Sequence, residues 1–181
     1  MVNKRGAILR NFWTGCIVLG VILLLIGLQI NLLNEVPLFG VKANIGIVFV
    51  ATLSILCGQS VGIAIGIVYG MLSDILFGKV FGIYTLLFFL VGFFCGRMSK
   101  GFSKENKVSV ILITAMTTII FEVLFYFLYV MLNGYEIELL SLVKVFLLEG
   151  VYNMLIARLL FGGLSVLSEM INRGKRSYYL L

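Results

Sequence analysis

Residues 43–96 read ANIGIVFVATLSILCGQSVGIAIGIVYGMLSDILFGKVFGIYTLLFFLVGFFCG, and the number of times this stretch crosses a bilayer decides the fold. It is apolar almost throughout, interrupted only near Gly58-Gln59-Ser60 and Phe77-Gly78-Lys79. A transmembrane helix needs about 20 apolar residues, so the stretch holds either two long spans or three short ones. Charge parity separates the two. With three spans, at 43–58, 60–77 and 80–96, one side collects Lys4, Arg5, Arg10, Arg97, Lys100, Lys104, Lys107, Arg173, Lys175 and Arg176. The other side keeps Lys42, Lys79 and Lys144. With two spans the basic loop 97–107 would lie opposite the basic N-terminus, against the positive-inside bias. Three spans are therefore predicted, the first of them short.

Outside this stretch, residues 13–32, 108–132 and 142–168 each form a clear apolar run between polar connections. The expectation is an all-α polytopic integral membrane protein, a single transmembrane domain over residues 1–181. It has six helices, with both ends in the cytoplasm and Glu35, Glu136 and Glu138 outside. Composition agrees: 61% of the 181 residues are hydrophobic and 12% charged, with a mean hydropathy of +1.14. A water-soluble core cannot hide that much apolar surface, whereas a bilayer can. The N-terminal run after Lys4, Arg5 and Arg10 is followed by no small-residue cleavage site, and Gly15-Cys16 precedes the apolar run, so it reads as an uncleaved first span.

The same residues exclude most chemistry. The net charge of +6 is spread in short runs beside apolar segments, where it meets lipid headgroups and sets orientation; no nucleic-acid partner is expected. There is no histidine, and Asp74 is the sole aspartate, which removes His-based acid–base catalysis and an aspartyl dyad. Cys16, Cys57 and Cys95 lie singly in apolar runs, as packing residues and not as a zinc or redox motif. No P-loop or nucleophile motif is present. The expectation is no catalysis, no cofactor and no metal.

What stands out instead is a series of small residues. Gly58, Gly62, Gly66, Gly70, Asp74, Gly78 and Gly82 follow one another at spacing four, which places them on one helix face. Lipid gives helices no hydrophobic push toward each other, so close backbone approach through glycine is a main source of packing energy. The series predicts a central third helix gripped along its glycine face, by the chain itself or by a partner's helix.

Ionisable residues within spans are costly and face protein or a water-filled cavity. Asp74, Glu122, Glu149 and Arg158 qualify. Glu122 and Arg158 each lie about ten residues from the nearer end of their spans and are expected to pair between the last two helices. Glu149 shares a face with Asn153 and points away from Arg158. Asp74, Glu149, Asn153 and Asn44 form an outward-facing polar pocket, or Asp74 is instead reached by Lys42 or Lys79.

The order of these features carries a resemblance. Pro37-Leu-Phe-Gly-Val-Lys-Ala-Asn44, then the glycine series to Gly70-Met-Leu-Ser-Asp74-Ile-Leu-Phe-Gly78, then Gly82, resembles the MreD family of bacterial rod-shape membrane proteins. The specific part is residues 37–96; Ala43 stands where many relatives carry proline, and Tyr152-Asn153-Met154 is similar to the family's last helix. The resemblance implies a fold similar to energy-coupling-factor S components and a non-enzymatic scaffold in the bacterial inner membrane. It also implies binding to MreC and, with MreB, RodA and a class B penicillin-binding transpeptidase, positioning of lateral peptidoglycan synthesis. By the resemblance Asn44, Gly66, Gly70, Asp74 and Gly82 belong to the characteristic core; with Pro37, Gly62 and Gly78 they make up the candidate partner-binding or structural core, and Glu122, Glu149, Asn153 and Arg158 stand beside them as intramembrane polar residues. The rival is a vitamin-binding S component, which calls for AxxxA spacing on the first helix; here that helix offers Gly20 and Gly27, seven apart.

Overall fold

The computed structural model describes residues 4–33, 40–78, 80–99, 107–133 and 139–179, and Pro37 and Lys79 lie outside this set. Among the described residues there are six α-helices: α1 (Lys4–Leu28), continued by a π-helical turn (Gln29–Leu33), α2 (Ile45–Cys57), α3 (Gln59–Phe77), α4 (Ile83–Met98), α5 (Lys107–Asn133) and α6 (Leu139–Tyr179). Residues 43–96 form three helices, broken at Gly58 and between Phe77 and Ile83, of which α3 is long and apolar enough to cross a membrane while α2 and α4 are shorter. Four segments are long and apolar enough to cross a membrane: Leu9–Asn31, Gln59–Phe77, Lys107–Leu132 and Val145–Arg173. Large apolar side chains such as Phe12, Ile75, Met116, Phe127 and Leu159 point outward, an arrangement that suits lipid and not water.

The two short helices depart from the expected picture. α2 has 13 residues, all of them buried, and at 1.5 Å per residue it is about 20 Å long against a hydrocarbon core of about 30 Å. It packs against α3, α4, α5 and α6. The centre of the bundle is thus α2, not α3 as the glycine series suggested. The reason is composition: IGIVFVATLSILC is apolar around its whole circumference, whereas α3 exposes Ser60, Ala64, Val68, Met71 and Ile75 on its far side.

The glycine series does one thing along α3 and another beyond it. A Cβ at Gly66 would lie 2.3 Å from the Phe88 carbonyl oxygen, one at Gly62 2.7 Å from that of Gly92, and one at Gly70 2.5 Å from the Thr85 Cα. Gly92 and Gly96 answer from α4, where a Cβ would meet the Gly62 and Gln59 backbones. These two helices therefore touch backbone to backbone, and the partner of the glycine face is α4 of the same chain. The helix stops at Phe77, so Gly78 and Gly82 are not on that face. Gly78 ends α3, and a Cβ there would strike the Asp74 carbonyl oxygen at 2.5 Å. Gly82 starts α4 at φ 104°, a left-handed conformation that glycine adopts without strain.

α1 near Arg10 and α6 near Arg173 meet at one end of the bundle. The Arg10 guanidinium donates to the Arg173 carbonyl at 3.5 Å, and the Asn172 amide to the Leu56 carbonyl at 3.4 Å. The α2–α3 turn at Gly58 faces Ser99 after α4. Arg10, Arg97, Lys107 and Arg173, all exposed, share this basic end.

Substituting Gly66 with alanine is expected to lower stability by about 1–3 kcal/mol, the usual range for overpacking. Gly20→Ala, where the new Cβ meets nothing within 4 Å, is expected to change it little. Thermal unfolding in detergent, followed by size-exclusion profile, measures both.

Candidate functional site

At the end of the bundle opposite the basic one, buried polar side chains solve a problem created by the short helices. A helix begins with N–H groups that have no intrahelical acceptor, and inside a bilayer no water supplies one. α2 and α4 both begin within the protein, so side chains must serve them.

Asp74, in the last turn of α3 and 3% exposed, serves α4. Its Oδ1 accepts the Tyr84 N–H at 2.9 Å, and its Oδ2 accepts the Thr85 N–H at 2.9 Å and the Thr85 hydroxyl. Three donors and the positive end of a helix dipole converge on one carboxylate, which offsets much of the cost of burying it. The expected interfacial pairing with Lys42 is corrected: Lys42 is exposed and Asp74 is spent on the α4 start. Lys79 lies outside the described residues. Asp74 is therefore a connector from α3 to α4, acting at the end of the same pair that the glycines bring together.

The start of α2 is held from three directions. Asn44 caps its own helix, its Oδ1 accepting the Ile47 N–H at 3.3 Å. Gln29, on the π-helical turn after α1, donates from Nε2 to the Ala43 carbonyl at 2.8 Å and accepts the Ile45 N–H on Oε1 at 3.0 Å. Asn153 of α6, fully buried, accepts the Asn44 N–H at 2.8 Å and donates to the Thr118 hydroxyl of α5 at 3.1 Å. Two amide side chains thus tie the irregular residues before α2 to α1, α5 and α6.

Beside Asn153 lies the second carboxyl group of the site. Glu149 of α6 lies beside Asn153 and faces Glu122 across the α5–α6 interface. The expected Glu122–Arg158 salt bridge is corrected. Arg158 is exposed, and among the described residues the one ion pair is Arg173 with Glu169, 3.6 Å apart. Register explains the difference. In an antiparallel hairpin, residues equally far from the connection face each other: Glu122 lies eleven residues before Asn133, Glu149 ten after Leu139, and Arg158 nineteen after it.

A cavity lies beside the start of α2, but it is not enclosed by the residues expected to form the polar pocket. Gln29, Asn44, Tyr69, Ser73, Phe77, Tyr84 and Phe88 line this cavity of about 190 Å³. Asn44 is shared with the expectation, while Asp74, Glu149 and Asn153 are turned to helix starts and to each other. Gln29, Thr85 and Thr118 were missed. Gln29 did leave a signal, as the first amide at the end of an apolar run.

The comparisons bear on this arrangement of a glycine-locked helix pair, an aspartate closing it and an asparagine-held short helix. A family profile described as rod shape-determining protein MreD matches residues 10–170. The chain belongs to the MreD family. Neither a curated protein nor a solved structure matches it. The match spans nearly all of the described bundle, including every residue discussed above from Arg10 to Glu169, and it makes the chain a member of a family with a role in rod-shape determination.

Replacing Asp74 by alanine strands two buried N–H groups and is expected to cost about 2–4 kcal/mol, combining a lost cap with unsatisfied donors. Asp74→Asn keeps one acceptor and is expected to cost less. Glu149→Gln is expected to retain the Glu122 contact and near-normal stability, while Glu149→Ala leaves Glu122 and Asn153 without it and lowers stability by about 1–3 kcal/mol. Membrane abundance and detergent melting temperature report on all four.

Proposed function

We propose that the protein is a non-enzymatic scaffold of the bacterial rod-shape machinery in the inner membrane. It binds MreC through its bundle and, with MreB, RodA and a class B penicillin-binding transpeptidase, positions lateral peptidoglycan synthesis. The observation that carries this reading is the family match over residues 10–170 together with the use made of the polar residues. Asp74, Asn44 and Asn153 are committed to helix starts, and the two glutamates to each other. Side chains held in this way serve a rigid assembly platform.

The positive-inside bias places the basic end, with Arg10, Arg97, Lys107 and Arg173, in the cytoplasm and the buried polar site toward the outer face. Since the α3 glycine face is filled by α4, partner helices are received on the outward-facing sides of the bundle. The rival S-component reading meets a cavity of about 190 Å³, smaller than the roughly 300–1,000 Å³ of pockets that enclose drug-sized ligands.

Crosslinking in the native membrane, followed by purification in mild detergent and identification of captured proteins, tests the proposal. Recovery of MreC, RodA or the transpeptidase is the expected result. Recovery of coupling ATPases in their place would overturn it.

A further inference from the structure

An apolar groove lies on the side of the described bundle away from the α3–α4 lock. α1 packs chiefly on α6 and leaves a gap along α3. Thr14, Val18 and Ile22 of α1, Val61 and Ala64 of α3, and Ile171 of α6 are among its walls, and its volume is about 390 Å³. From Thr14 to Ile22 it runs about 12 Å along the helix axis, an open apolar furrow along which an extended hydrocarbon chain can lie.

Its rim is at the basic end. Arg10 lies one turn before Thr14, Arg173 lies two residues after Ile171, and the two arginines meet where the Arg10 guanidinium donates to the Arg173 carbonyl at 3.5 Å. Arg173 shares its charge with Glu169 at 3.6 Å, whereas Arg10 has no carboxylate at ion-pair distance among the described residues. The α3 turn that contributes Val61 follows Gly58, which gives no side-chain cap, so the positive end of that helix dipole adds to the rim. The groove is apolar along its length and positive at one end, the polarity of a lipid with a negative head.

We infer that the groove between α1, α3 and α6 is a binding site for one anionic phospholipid, an acyl chain lying along Val18, Ile22, Val61 and Ala64 and the phosphate held by Arg10 and Arg173. The lipid acts as a seventh packing element, filling the gap that α1 leaves along α3. The inference does not depend on which proteins the bundle assembles.

Trp13, the sole tryptophan, is exposed beside Thr14 and reports on the rim. The test reconstitutes the full chain in nanodiscs and compares quenching of Trp13 fluorescence by brominated phosphatidylglycerol and by brominated phosphatidylcholine. Phosphatidylglycerol is expected to be preferred, with about fivefold of that preference lost for each arginine removed in Arg10→Gln and Arg173→Gln. Gly15→Leu, at a wall position where a Cβ meets nothing within 4 Å, is expected to fill the groove and reduce the preference without loss of folding. Equal quenching by the two lipids in the unmodified chain, or a preference that the double glutamine variant keeps, would overturn the inference. So would protection of Trp13 from both lipids with capture of a second copy or another protein's helix through a Gly15→Cys crosslink.

Discussion

The structure depends on how two helices can begin inside a membrane protein. An unpaired N–H in hydrocarbon costs several kcal/mol, and α2 and α4 each present a set of them at their first turns. Asp74 answers for α4, while Asn44, Gln29 and Asn153 answer for α2 and the residues leading into it. Because each answering side chain comes from a different helix or from the helix start itself, the same bonds that make short helices tolerable also fix where α1, α3 and α6 stand.

Glycine packing and polar capping work on the same helix pair. Along α3 and α4, Gly62, Gly66, Gly70, Gly92 and Gly96 bring backbones into contact, which gains dispersion energy that lipid does not provide. That contact alone would let the helices slide by a turn. Asp74 prevents it, since its two oxygens reach Tyr84 and Thr85 in only one register. The α5–α6 pair follows the same plan with different chemistry, where the Asn153–Thr118 and Glu149–Glu122 contacts set the register.

With the polar residues occupied in this way, what remains for other molecules is the outer surface. It carries large apolar side chains and, between α1 and α3, a groove with two arginines at its rim. A family role in rod-shape determination fits a body of this kind, whose interior is committed and whose sides are open to lipid and to other membrane proteins.

The sequence by itself determined the number and type of elements, because hydropathy and charge parity are local sums that each segment carries with it. Residues 43–96 read as three spans from the placement of Arg97–Lys107 alone, and the glycine spacing marked a close helix contact. The weight given to Asn44, Asp74, Gly66 and Gly82 rested on their order along the chain. The tertiary structure decided what each meets. Spacing four says that Gly62, Gly66 and Gly70 share a face, but not that α4 covers it or that α2 is the centre. The Glu122 partner was partly legible, since counting from the 134–138 connection points near Glu149, whereas counting depth from the span ends pointed to Arg158. Asp74 as a cap was not legible: its charge signalled a cost, and only the fold shows that the compensating donors are N–H groups ten and eleven residues later, around a turn whose path the sequence leaves open.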